Sequence, residues 1–319
     1  MKDRVSHFLQ KTGIFAVLAL IFLACSFISK DFLKYNNLVN VTRQLCVGIL
    51  IAYGEMLLII SGFLDLSVGS VLALSGVVSI MVFKSTGNIL AALITALLIG
   101  TICNIVNAFF VAQLKVPAFI ATLGMMQVAR GIALYITGGK NILQLGKYVK
   151  VGQGMLGPIP VPVIIVVFVT ALVWWLLNHT RYGRSLYAIG GNRAAAEASG
   201  INSKRSIYLS YIINGAMVGL AGVIFMARNN AGLPNGAVGY EMTGLTAAIV
   251  GGTSFTGGIG SVSGIIGFLE NVMNLIGVNA YIQQIIEGSI IALAVAVDIT
   301  VKHRKSGRVI IVKEKEKSN

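Results

Sequence analysis

The acids that stand inside apolar stretches are the residues whose chemistry this sequence has to explain. Glu55 falls within an apolar run, Asp65 at a break rich in Gly and Ser, Glu241 at the start of another run, Glu270 within the next, and Glu287 and Asp298 in the last. A carboxylate at the centre of a membrane helix costs about 2.5–3.5 kcal/mol on insertion scales. Glu241 and Asp298 lie near run ends and can reach water, which leaves Glu55 and Asp65 to face a wet cavity or to pair with Arg130, the one base well inside a run. Asp65 has a second use, because a carboxylate at a helix break accepts the backbone N–H groups that the break leaves unpaired. Asn104 and Asn107 are three apart and share a helix face, with Gln113 further on. A polar pathway formed by Ser61, Asp65, Ser67, Asn104, Asn107, Thr122, Glu241, Thr253 and Ser254 is the expectation, with hydrogen bonding between helices as its alternative.

Other chemistries find no support. His7, His179 and His303 flank apolar runs and are far apart, so neither a metal cluster nor a catalytic triad is expected. Cys25, Cys46 and Cys103 lie within or beside apolar runs without metal-like spacing and read as buried thiols. The phosphate-binding Gly-x-x-x-x-Gly-Lys-Ser/Thr is absent: Gly146-Lys147 is followed by Tyr148 and Gly139-Lys140 by Asn141. No cofactor is expected on this chain, and if ATP drives its work another chain hydrolyses it.

The elements that must position these residues are membrane helices. Of 319 residues 56% are apolar and 11% charged, against about 25% charged in a soluble domain. Apolar runs at roughly 13–29, 45–62, 66–83, 88–112, 117–137, 160–178, 207–228, 240–256, 258–277 and 281–301 predict an all-α polytopic bundle of about ten membrane segments. The pieces around 62–70 and 250–264 are expected to be broken or re-entrant rather than full crossings. The net charge of +14 is topological rather than a nucleic-acid footprint: 15 of the 25 Lys and Arg fall in three segments, before the first run, at 181–205 and after 301. The positive-inside rule places all three in the cytoplasm, with lipid headgroups as partners of the tail. The expected organisation is a cytoplasmic segment 1–12, a membrane domain 13–301 with a cytoplasmic segment 179–206, and a basic tail 302–319. The first run is expected to stay as an anchor, since no small-residue cleavage pattern follows it. The loop 138–160 then faces outward, although its Lys140, Lys147 and Lys150 run against the charge rule.

Two Gly/Ser-rich segments, 61–70 and 251–261, stand in different halves of the chain, a pattern that points either to a transport site or to tight turns between helices. Between them the basic, Gly-punctuated segment 180–205 carries an Ala-rich helical patch at 194–198 ended by Gly200. It reads either as a short surface helix that docks on another protein or as an ordinary basic loop.

Gly183-Arg184-x-x-Tyr187-Ala188-Ile189-Gly190-Gly191-Asn192, followed by Ala195-Ala196 and Ser199-Gly200-Ile201, resembles the coupling segment of permeases in the ribose/xylose/galactose class of ABC importers. Asp65 to Ser70, Pro117 to Met126, Arg130-Gly131, Thr137 to Gly139, Gly239 to Glu241, Gly251 to Ser254 and Gly257-Gly258-x-Gly260-Ser261-Val262 are similar to that family's other signatures, in their usual order, over about 45–300. The resemblance implies a permease of the bacterial cytoplasmic membrane working by alternating access, with a second permease subunit, an ABC ATPase docked on Gly183, Arg184, Tyr187, Gly190, Gly191, Asn192, Ala195, Ala196, Ser199 and Gly200, and an extracytoplasmic sugar-binding protein. Glu55 stands where relatives carry an uncharged residue, Gly62-Phe63-Leu64-Asp65 replaces Gly-Gly-Ile-Asp, and Arg193 follows Asn192 where an acid is common. The rival reading is a cation-coupled secondary transporter with Glu55 and Asp65 as coupling acids.

Overall fold

Long apolar runs with small residues at regular intervals give helices that pack backbone to backbone, and the computed structural model is built of them. It describes residues 33–260 and the single positions 262, 285, 288 and 289. The expected first, ninth and tenth segments, Cys25, Glu270, Glu287 and Asp298 lie outside the described residues.

Helix α1 (Tyr35–Ile60) descends through the centre of the bundle and ends at the break 61–67. Helix α2 (Val68–Thr86) returns and stops at Gly87, whose left-handed backbone (φ 67°) closes the last turn. Asn88 then caps α3 (Ile89–Ala108) by accepting from Leu90 N (2.8 Å) and Ala91 N (3.2 Å). The helix runs on into a π-helical turn, Phe109–Gln113. Pro117 starts α4 (Ala118–Thr137) and the left-handed Gly138 ends it. A small cap follows: β1 (Ile142–Leu143), a 3-10 turn (Gly146–Val149), α5 (Lys150–Gln153) and the hairpin β2 (Met155–Leu156) with β3 (Ile159–Pro160). Helix α6 (Val161–His179) leads to two short helices, α7 (Arg181–Gly191) and α8 (Arg193–Ala198). Then come α9 (Ser203–Asn229), β4 (Ala231–Gly232), paired antiparallel with β1, and α10 (Tyr240–Val250).

Six of these helices are long and apolar enough to cross a membrane: α1, α2, α3 with its π turn, α4, α6 and α9. They match the predicted runs to within a few residues, except that α1 starts ten residues before its run. The run at 240–256 is corrected: its helix has 11 residues, about 16 Å at 1.5 Å per residue. That is too short to cross, because Gly251 and Gly252 end it in a turn.

The core sits where α1, α2, α3 and α9 meet. α1, α2 and α9 are about three-quarters buried, whereas α3, α4 and α6 turn most of their surface outward. Contact between α3 and α9 is possible only because both lack side chains there: a Cβ on Gly100 would strike Gly215 O, and one on Gly215 would strike Gly100 O. Lipid supplies no hydrophobic drive between helices, so such close approach is what holds them. The cap and the 181–202 segment lie at opposite ends of the bundle, the cap being held by Lys84 Nζ to Leu143 O (3.0 Å) and Gln153 Nε2 to Arg228 O (2.8 Å).

Gly100→Ala is therefore expected to destabilise the bundle by about 1–3 kcal/mol, the usual cost of overpacking, whereas Gly124→Ala, with open space around its Cα, should be neutral. Thermal midpoints of the two purified variants in detergent check the contrast.

Candidate functional site

The break between α1 and α2 leaves backbone groups without helical partners in the middle of the bundle, and Asp65 organises them. Its Oδ1 accepts from Ser67 N (2.8 Å) and Ser67 Oγ (2.5 Å), and its Oδ2 from Asn214 Nδ2 (2.9 Å). Asn107 Nδ2 reaches Ser67 Oγ (3.1 Å) and Asp65 Oδ1 (3.4 Å). Asn214 Nδ2 also donates to Asn104 Oδ1 (3.2 Å), and Asn104 Nδ2 to Gly100 O (3.3 Å). Tyr211 Oη donates to Leu64 O (3.0 Å), and the Asp65 N–H to Glu55 Oε2 (3.3 Å). Glu55, Asp65, Ser67 and Asn104 are all fully buried. Asp65 thus accepts backbone and side-chain donors at a break, as expected, although it bridges forward to Ser67 while Ser67 itself occupies the cap position of α2.

The remaining pathway candidates divide. Glu241 takes Gly239 N on Oε1 (3.2 Å), and its Oε2 presses on Gly69 in the first turn of α2, where a Cβ would lie 2.6 Å from it. A carboxylate there offsets the positive end of that helix. Ser61 Oγ returns to Leu58 O (2.8 Å) and Thr122 Oγ1 to Ala118 O (2.9 Å), so both are used within their own helices. Thr253 and Ser254 belong to the second break, where Ser254 N donates to Ile259 O (3.0 Å) and Ser254 Oγ meets Thr256 Oγ1 (2.9 Å). Of the two alternatives for Glu55 and Asp65, the pairing with Arg130 is not formed. Its Nη1 donates to Pro234 O and Gly236 O (both 2.8 Å), pinning the loop between β4 and α10. Sequence reading missed Tyr211 and Asn214; the available signal was two polar side chains three apart within an apolar run, as for Asn104 and Asn107.

The segment at the far end from the cap folds as two capped helices. Thr180 Oγ1 accepts from Gly183 N (3.1 Å), Asn192 Oδ1 from Ala195 N (3.0 Å) and Asn202 Oδ1 from Arg205 N (2.9 Å), and Gly200 takes a left-handed turn (φ 84°). Helix α7 buries Gly183, Leu186 and Ile189 and exposes Arg181 and Arg184. The outer side of α8 exposes Ala194, Ala195, Glu197 and Ala198, with Ser199 and Gly200 beyond it. Arg193 Nε pairs with Glu197 Oε1 (3.0 Å) one turn on, and this hydrogen bond holds the Glu197 carboxyl below the usual range.

Gly190 joins this segment to both breaks. A Cβ on it would strike Ile60 O, at the end of α1, and Gly258 N, in the second break. Gly258 N donates to Ile60 O (2.9 Å), Tyr187 Oη to Gly260 O (2.9 Å), and Tyr182 Oη lies 2.7 Å from Ser210 Oγ on α9. Contact, not backbone freedom, is what Gly190 supplies, since its φ is not positive. Gly191 beside it has open space where a Cβ would stand.

The family described as branched-chain amino acid transport system/permease component matches residues 37–295. The chain belongs to this permease family. Among curated relatives, the ribose import permease protein RbsC of Escherichia coli K12 is 38% identical over 303 residues, covering 91% of this chain and 94% of the relative. The D-allose transport system permease protein AlsC of the same strain is 37% identical over 300 residues, covering 91% and 92%. The L-arabinose transport system permease protein AraH, also of that strain, is 32% identical over 293 residues, covering 90% and 89%. No solved structure gives a significant match. The resemblance carried by the motifs holds, and with six apolar helices the permease is a multi-pass membrane protein.

Gly190→Ala should insert in the membrane yet lose most transport activity, because one methyl group forces α7 away from Ile60 and Gly258. Gly191→Ala should behave as wild type. Uptake normalised to protein in the membrane separates the two, and equal activity would show that the contact at Gly190 carries no function.

Proposed function

We propose that this permease is the membrane-spanning subunit of a binding-protein-dependent ABC importer that moves a monosaccharide, a ribose-like pentose or a related sugar, across the bacterial cytoplasmic membrane. The observation that carries the reading is the contact at Gly190. It ties a basic helical segment with a free outer face to both helix breaks at once, so a displacement of that segment reaches the centre of the bundle through rigid backbone. The relatives named for ribose, D-allose and L-arabinose support the sugar class.

The partner ATPase docks on α7 and α8 from the cytoplasm, with Arg184, Asn192, Ala195, Ser199 and Gly200 on or beside the contact. ATP is bound and hydrolysed there, as this chain has no phosphate-binding loop. An extracytoplasmic binding protein delivers the sugar at the cap end. Alternating access opens the cluster around Asp65 to one side and then the other. Hydroxyl and amide groups suit a neutral sugar, which needs hydrogen-bond partners rather than counter-ions. A second permease subunit completes the pathway. Helix α4 is a candidate contact, since Gln127 and Tyr135 are exposed on its otherwise apolar outer side.

Asp65 separates this reading from a cation-coupled carrier. Asp65→Asn, which still accepts hydrogen bonds, should keep substantial ATP-driven uptake. Asp65→Leu leaves Ser67 N unpaired and takes away one of the two acceptors of Asn214 Nδ2, and it should lose uptake together with about 1–3 kcal/mol per buried unsatisfied group. Uptake in vesicles loaded with ATP, with and without the partner ATPase, is the measurement. Transport that follows the pH gradient without ATPase, and vanishes in a well-inserted Asp65→Asn, would replace the importer by a secondary transporter.

A further inference from the structure

Glu55 is the one acid of the central cluster without a donor on both of its oxygens. It is fully buried in α1 beside a second carboxyl, and no Lys or Arg pairs with either among the described residues. Its depth follows from its neighbours. Gly54 packs on Asn214, which stands eleven residues into α9, about 16 Å along a helix of about 40 Å. Two carboxylates at that depth would each carry the full cost of charge burial with no cation to offset it.

The hydrogen bonds decide which of the two is charged. Asp65 is surrounded by donors: Ser67 N, Ser67 Oγ, Asn107 Nδ2 and Asn214 Nδ2 all point at its oxygens. Glu55 has one donor, the Asp65 N–H on Oε2, and its Oε1 has none. Two further buried oxygens beside the pair also lack a donor, Asn107 Oδ1 and Asn214 Oδ1. Both amides are fixed in orientation, because turning either would aim its carbonyl oxygen at the Asp65 carboxylate. Of the two acids only Glu55, whose Oε1 has no donor, can take a proton without giving up donors that are already in place on Asp65. The other titratable groups close to the pair are Tyr211 on α9, already donating to Leu64 O, and Cys103 on α3. On α10, Gly244 packs over Glu55, and Glu241 beyond it has its own donor in Gly239 N.

We infer that Glu55 is a proton-binding site: in this closed arrangement it is a neutral acid, the pair carries a single negative charge on Asp65, and the proton leaves to water when the break opens. Proton balance is complete, since the carboxylic O–H breaks heterolytically and water takes the proton. The inference does not rest on the sugar or on the ATPase.

The folded chain then holds a proton that the unfolded chain has released at neutral pH, so stability falls as pH rises, by up to tenfold in the folding equilibrium constant per pH unit. The thermal midpoint of the purified protein in detergent should drop between mildly acid and mildly alkaline pH. Glu55→Gln should flatten that slope and match or exceed wild type at the alkaline end. Infrared spectra at neutral pH should show a protonated-carboxyl band in wild type that the Gln variant lacks. Equal slopes in the two proteins, or no such band, overturn the inference. So does stabilisation of wild type by sodium at fixed pH that Glu55→Gln abolishes, which would put a metal cation in the proton's place. A Glu55→Gln that fails to insert where Glu55→Asp inserts would show that the charge itself is required, and overturns it equally.

Discussion

A helix that begins inside a membrane bundle exposes backbone N–H groups where no water is assured, and the rest of this structure is arranged around answering them. Asp65 is the answer at the break between α1 and α2. Its carboxylate takes the Ser67 N–H at 2.8 Å and draws Asn107 from α3 and Asn214 from α9 to the same point. One buried charge therefore fixes the break, the register of α3 against α9 and the level at which the four core helices cross. The glycines that allow α3 and α9 to touch, Gly100 and Gly215, sit next to Asn104 and Asn214, so close packing and polar contact reinforce each other instead of competing for space.

The second break is made differently. Residues 251–260 use glycines with positive φ at 252, 257 and 258 and short hydroxyl side chains. No charged residue lies among them. This break is anchored from outside itself, through Gly258 to Ile60 and through Tyr187 to Gly260. A break held by an internal carboxylate resists change, while one held by two external contacts follows whatever holds it. The asymmetry gives the 181–202 segment a direct grip on the softer of the two breaks and, through Ile60, an indirect one on the stiffer.

Much of this was legible in the sequence because apolar length and small-residue punctuation are strong signals. Helix positions, the two breaks, the capped pieces of 180–205 and a structural part for Asp65 all follow from local patterns. What was not legible depends on residues far apart in the chain. Arg130 looked like a counter-ion because it is the one base deep in a span, yet carbonyls at Pro234 and Gly236, over a hundred residues away, supply its acceptors. Gly190 was legible only as one glycine of a Gly-punctuated basic segment, and the approach of Ile60 and Gly258 shows that it is needed for contact. Asn214 gave a weak signal, one amide among many small polar residues, until Asp65 was placed beside it. The length of α10 was misjudged because Gly251 and Gly252 break a run whose hydropathy continues beyond them.

The placement of Glu241 follows from the same constraint that opened the core. Helix α2 begins at mid-depth, so its positive end lies inside the bundle, where Asp65 bridges to Ser67 N, one residue ahead of the helix. The loop from β4 dips inward under the hold of Arg130 and brings Glu241 against Gly69, one residue into α2. A side chain at Gly69 would push the carboxylate off the helix end and Ala237 O with it, which makes the glycine and the acid parts of one device. Arg130 thereby acts on the centre of the molecule without touching it: the base steadies a loop, the loop carries an acid, and the acid offsets the dipole of a helix that starts where an unanswered charge costs a membrane protein most.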